Sequence, residues 1–167
     1  MRILITFVIF FFCSPIKANS INVIRDAEVE NLLNDISKIL VRGTQLENEV
    51  LTFYLDNQKF INALVTPDKK FFFTTELLLK SKKVEDIAGV ISHEIGHIIG
   101  GHFQKRQRQM EKSSVINILS SILAVGAIAG GAYDAGSALL MGGQHISASR
   151  MFAFSRSQES LADQTAI

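Results

Sequence analysis

Two histidines four residues apart, with a glutamate beside the first, form the segment His93-Glu94-Ile95-Gly96-His97. The residues around it keep a helical period: Val84, Ile87, Ala88, Ile91, Ile95, Ile98 and Ile99 recur at i, i+3, i+4 and i+7 spacing and mark one apolar face. Four residues advance a helix by one turn plus about 40°, so both imidazoles can reach a single metal ion. Glu94 lies one position on, where it can take a proton from a metal-activated water. The fold must therefore bury the apolar stripe and leave the histidine side open. That side also carries Gly89, Gly96 and Gly100. Each glycine costs a helix roughly 1 kcal/mol against alanine, so the three imply that another backbone or a ligand comes close. His102 does not join the pair in this reading. The extended zinc motif would place a third histidine six residues after His97, where the chain has Phe103. Carried through to residue 102, the helical wheel puts His102 on the apolar stripe, facing away from the pair, so it reads as structural.

A catalytic zinc site takes three protein ligands and keeps one position for water. The best third ligand is Glu159, with Asp163 four residues later on the same helix face. Glu159 would bind the metal, while Asp163 would accept the free N–H of a ligand histidine and fix its tautomer. Taken alone, the two acids read as ordinary solvated charges near a helix start. The first motif is what gives them a role.

The rest of the chain predicts an α+β fold, mostly helical with a small antiparallel β-sheet. Residues 26–42 predict a helix capped by Asp26, with Val29, Leu32, Leu33, Ile36 and Leu40 on one face and Gly43 at its end. Residues 50–55 and 60–65 predict strands across a turn, and 71–73 a third strand after the turn Thr66-Pro67-Asp68. Residues 115–132 are rich in Ile, Leu, Ala and Gly; they predict a buried helix or helical hairpin, with a membrane-touching element as the alternative.

With 167 residues, 47% of them hydrophobic, the chain can bury one core. Arg2, the apolar run 3–12 and the more polar 13–18 have the anatomy of a secretory signal peptide, with an uncleaved anchor as the alternative. This divides the chain into a signal peptide, 1–18, and one domain, 19–167. Of 17 basic residues, removal of Arg2 and Lys17 leaves 15 against 16 acidic ones, which offers no basic field for nucleic acid. The single cysteine, Cys13, leaves with the signal, so thiolate metal sites are excluded from the mature chain.

The same residues resemble the HtpX/Oma-type zinc metallopeptidases, within them the secreted bacterial branch that includes BepA and LoiP. The likeness rests on Asn62-Ala63-Leu64-Val65, Phe73-Thr74-Thr75-Glu76-Leu77-Leu78, and Ala88-Gly89-Val90-Ile91-Ser92 running into His93. It continues in Phe154-Ser155-Arg156, Glu159 and Ala162-Asp163. It implies a zincin-like fold, one zinc per chain, and endopeptidase activity on unfolded or misassembled envelope proteins. By position, His93, His97 and Glu159 would be the ligands, Glu94 the base and Asp163 the partner behind a ligand. Asn62, Ala63, Leu64 and Val65 would form the strand to which a substrate main chain adds. The resemblance further implies a periplasmic protein in protein quality control, with outer-membrane or membrane-surface association open to it. Leu161 and Gln164 stand where polar or charged residues are frequent in the family. Family members continue with further helices, so the chain reads as truncated after its second motif. Three other readings stay open: a chaperone-like module that holds unfolded chains without cutting, a membrane-anchored structural protein, and non-proteolytic hydrolysis at the same zinc.

Overall fold

The computed structural model describes residues 22–166, so the signal-peptide reading of 1–18 lies outside the described residues. A short strand β1 (Val23–Ile24) leads into helix α1 (Ala27–Leu40), where the Asp26 side chain accepts from the backbone N–H groups of Glu28 and Val29 as an N-cap. Strands β2 (Thr52–Asp56), β3 (Ala63–Val65) and β4 (Lys70–Thr74) follow, then helices α2 (Thr75–Lys80), α3 (Val84–Ile99), α4 (His102–Ala129) and α5 (Tyr133–Thr165).

The α+β class holds, but the sheet is mixed rather than purely antiparallel. Its order is β1-β2-β4-β3, with β2 and β4 parallel and the two outer pairs antiparallel. Residues 66–69 turn β3 back onto β4 as a hairpin, and β4 enters the sheet beside β2, leaving β3 at the edge. The register sets Phe53 against Phe71 and Leu55 against Phe73. The Phe53 and Phe71 rings stack 4.8 Å apart. Both fill the core with Phe73, Leu33 of α1 and Ile91 of α3, all fully buried. Alternation in the sequence fixes which residues face the core and leaves open which strand is the neighbour.

The strand expected at 60–65 forms only over its last three residues. Asn62, just outside it, is clamped by Thr74: the Thr74 backbone N–H donates to the Asn62 carbonyl, and Asn62 N–H donates to the Thr74 hydroxyl. Asn62 and Thr66 direct their peptide groups to β4. By antiparallel alternation, Ala63 and Val65 turn theirs to the open edge.

Helix α3 lays Ile91 and Ile95 on the sheet core, as its apolar stripe predicts. It stops at Ile99. Gly101 adopts a left-handed φ of 60°, and α4 starts in a new direction. Helices α4 and α5 then pair as a hairpin closed by 130–132, and the last turns of α5 return to pack on α3. Residues 115–132, expected as a buried helix or helical hairpin, instead form the second half of α4 and the turn that joins it to α5. The expected burial is absent: Val115, Ile118, Leu119, Ile122, Leu123 and Val125 are exposed, because α5 covers only one side of α4.

Candidate metal centre

Three helical segments build the centre. On α3, His93 and His97 stand one above the other, their Nε2 atoms 3.1 Å apart. The end of α5 brings the Glu159 carboxylate across, with Oε2 3.4 Å from His93 Nε2 and 3.6 Å from His97 Nε2. Ligand distances of about 2.0–2.1 Å around a tetrahedral ion separate neighbouring donors by roughly 3.3–3.4 Å, so the three atoms have the spacing of one face of a zinc tetrahedron. The donor chemistry agrees. Asp163 Oδ1 lies 2.8 Å from His93 Nδ1, so the neutral ring donates there and presents a bare lone pair at Nε2. Among the two nitrogens and the carboxylate oxygen, a single N–H could then satisfy one contact and no more; a cation satisfies all three. These residues are the group among the described residues whose ligand atoms converge within 4.8 Å.

The close approach of α5 depends on Gly96. A Cβ there would run into Thr165 Oγ1 and come within 3.0 Å of the Ala162 carbonyl oxygen and 3.1 Å of its Cα. Gly100 is small for a different reason, since a Cβ would strike the His102 ring. Gly89 has nothing within 4 Å, so close approach explains two of the three glycines.

His102 does not face away. It is buried, and its Nδ1 lies 2.9 Å from His97 Nδ1, with the two rings edge to face. The wheel fails because α3 ends before residue 102: the Gly100-Gly101 break folds His102 back over the helix end. With His97 Nε2 offered to a metal, its Nδ1 carries the proton and donates to His102, as Asp163 serves His93. Replacing His102 with Leu should keep the fold and weaken metal affinity about 10–100-fold. A competitive chelator titration checks this, and an unchanged affinity would remove His102 from the support of the centre.

Glu94 is half-buried beside the histidines. Burial holds its carboxyl above the ordinary carboxylate range; the His93 ring pulls it back, Glu159 pushes it up, and the Val65 backbone N–H, donating to it, lowers it. A raised pKa suits a residue that must accept and then return a proton. Burial pushes His97 below the usual histidine range, which favours the neutral ring that metal binding needs. The donation from Val65 places the open edge of β3 against the base, next to Asn62, Ala63 and Leu64.

A cavity of about 210 Å³ opens beside the centre, lined by His97 and Glu159 and by Phe103, Met151 and Phe154, with Arg106 at its wall. Sequence reading left Phe103 and Met151 without a role. Only Met151 had a local signal: like Phe154, it precedes Glu159 on the same helix, by roughly two turns against one. A search of curated proteins found no match. Residues 24–167 match peptidase family M48.

Proposed function

This chain belongs to peptidase family M48 and is thereby a metallopeptidase; from that premise we propose that it is a zinc endopeptidase acting on unfolded or misassembled envelope proteins. The observation that supports this most is the convergence of His93 Nε2, His97 Nε2 and Glu159 Oε2. These residues would hold one zinc, with Asp163 and His102 fixing the two rings. When bound, zinc supplies Lewis acidity that polarises a carbonyl and brings the pKa of water to about 7. Glu94 takes the proton from the attacking water and returns it to the leaving amine.

An extended substrate main chain can pair with the peptide groups of Ala63 and with the Val65 carbonyl at the open edge, the Val65 N–H being held by Glu94, which sets the substrate backbone against the base. The cavity lined by Phe103, Met151 and Phe154 takes an apolar side chain. Backbone pairing ignores sequence, and apolar side chains are what unfolding exposes, so the two features together select disordered polypeptide over folded protein. The signal-peptide reading of 1–18 supports a periplasmic site of action.

The test is digestion of casein by the purified full chain. Cleavage that stops with a chelator and returns with added zinc supports the reading. Casein held but left intact at full zinc loading would favour the chaperone-like module instead.

A further inference from the structure

Beyond the collar formed by Lys112 and Arg150, helix α4 has the surface of a membrane element, and α5, less apolar with Gln144 and His145 exposed, runs beside it. From residue 113 to residue 149 the sole Lys, Arg, Asp or Glu is Asp134, near the hairpin's tip. Helix α4 is long and apolar enough to cross a bilayer, and its apolar window is only 6% buried. A core helix of a soluble protein would be mostly covered. Leu119, Ile122, Leu123 and Val125 point outward from α4, and Leu139 and Met141 from α5.

The residues that the hairpin buries fully between its helices, Ala124, Gly136, Gly143 and Ser147, are small or polar. The Ser147 hydroxyl donates to Asn117 Oδ1 at 2.8 Å. A Cβ on Gly143 would strike Ser120, and one on Gly136 would run into the half-buried Ile128 side chain and come within 2.9 Å of the Ala124 carbonyl oxygen. This inverts the rule for water, where large apolar side chains go inside. It is the arrangement that suits lipid, where apolar side chains gain nothing by meeting each other and small residues let helices close on paired polar groups.

Charge and length name the occupant. At the base of the hairpin stand Lys105, Arg106, Arg108, Lys112, Arg150 and Arg156, all exposed, against Glu111 and, toward the metal centre, Glu159. Lys112 and Arg150 line one surface hollow together with Arg108, so the collar joins both helices. Residues 113–131 rise about 28 Å at 1.5 Å per residue, close to the roughly 30 Å of a hydrocarbon core. Tyr133 and Asp134 lie at the far end, at the depth of the opposite headgroups.

We propose that this hairpin inserts into an anionic lipid bilayer, with the basic collar seated among the headgroups and the metal centre held just above them. The inference does not depend on the zinc reading. The chain contains no tryptophan, so Ile122→Trp in the full chain is a clean reporter on an exposed position. With vesicles containing phosphatidylglycerol, its emission should shift to the blue and lose most of its intensity when the acyl chains are brominated. Adding Lys112→Gln and Arg150→Gln should weaken partitioning about fivefold per charge, roughly 25-fold for the pair. Red emission that ignores vesicles would overturn the proposal, as would vesicle binding that leaves the introduced indole unquenched by bromine. Blue emission without lipid, insensitive to brominated vesicles, would overturn it too: dependence on protein concentration would identify a second copy as the cover, and independence a segment of the chain itself.

Discussion

Replacing Glu94 with Gln is expected to lower peptide cleavage by about 10²–10⁴-fold while metal stays bound. The amide matches the carboxylate in size and can still accept the Val65 backbone N–H, so the pocket keeps its shape. It cannot accept a proton from water. His93, His97 and Glu159 keep their positions, because none of the metal-facing contacts runs through Glu94. Steady-state cleavage of casein, paired with metal content of the same preparation, separates the two effects. The variant should also melt no lower than wild type at neutral pH in metal-free buffer. Burial raises the Glu94 pKa in the folded state, so its favourable contribution belongs to the protonated form. That contribution is fully present below the ordinary carboxylate pKa and is lost as pH rises through the raised value. Above that value the ionised side chain is a burden that the neutral amide removes. Wild-type activity in a clean preparation would assign the base elsewhere.

The second large effect separates two glycines of one helix. Gly96→Val should weaken the docking of α5, because the new side chain meets the Ala162 backbone as well as the Thr165 hydroxyl. Overpacking of this kind costs about 1–3 kcal/mol, and here it acts on the contact that carries Glu159 to the histidines. Stability and metal affinity should fall together. Gly89→Ala, on the same helix with open space around it, should be neutral or stabilising by up to about 1 kcal/mol. Helix propensity favours both changes, so a loss at 96 alone isolates packing as its cause. Thermal melts and metal titration of the two variants check it; equal behaviour would mean that the approach of α5 at Gly96 does not set the geometry of the centre.

Much of the fold was legible because it follows from local chemistry. The Asp26 cap, the apolar stripe of α3 and the β3–β4 turn all depend on residues a few positions apart, and the structure shows each. What depended on distant pairing was harder to read. Nothing in the alternation of 50–55 says that β4, rather than β3, lies beside β2, so the parallel pair was missed. The error at His102 had a local cause, since an extended helical wheel ignores the Gly100-Gly101 break that ends α3. Glu159 and Asp163 were found by their i, i+4 spacing, and the structure brings both to the histidines. The cavity residue Phe103 carried no such spacing, being one of many exposed or half-buried apolar residues along α4. The helix in 115–132 was legible, but not its exposure or its pairing with a second helix that starts at Tyr133. The inverted packing of the hairpin was not legible either, because the pairing of Gly143 with Ser120 and of Gly136 with Ile128 and the Ala124 backbone appears only once the helices are set side by side.

The most direct test of the central claim is zinc per chain after dialysis of the full-length protein against metal-free buffer, measured for wild type and for Glu159→Gln. The account predicts about one zinc held by the wild type and lost on dialysis from the variant, with both chains folded. A folded wild type without zinc, or a Glu159→Gln chain that keeps its zinc undiminished, would contradict the three-residue centre.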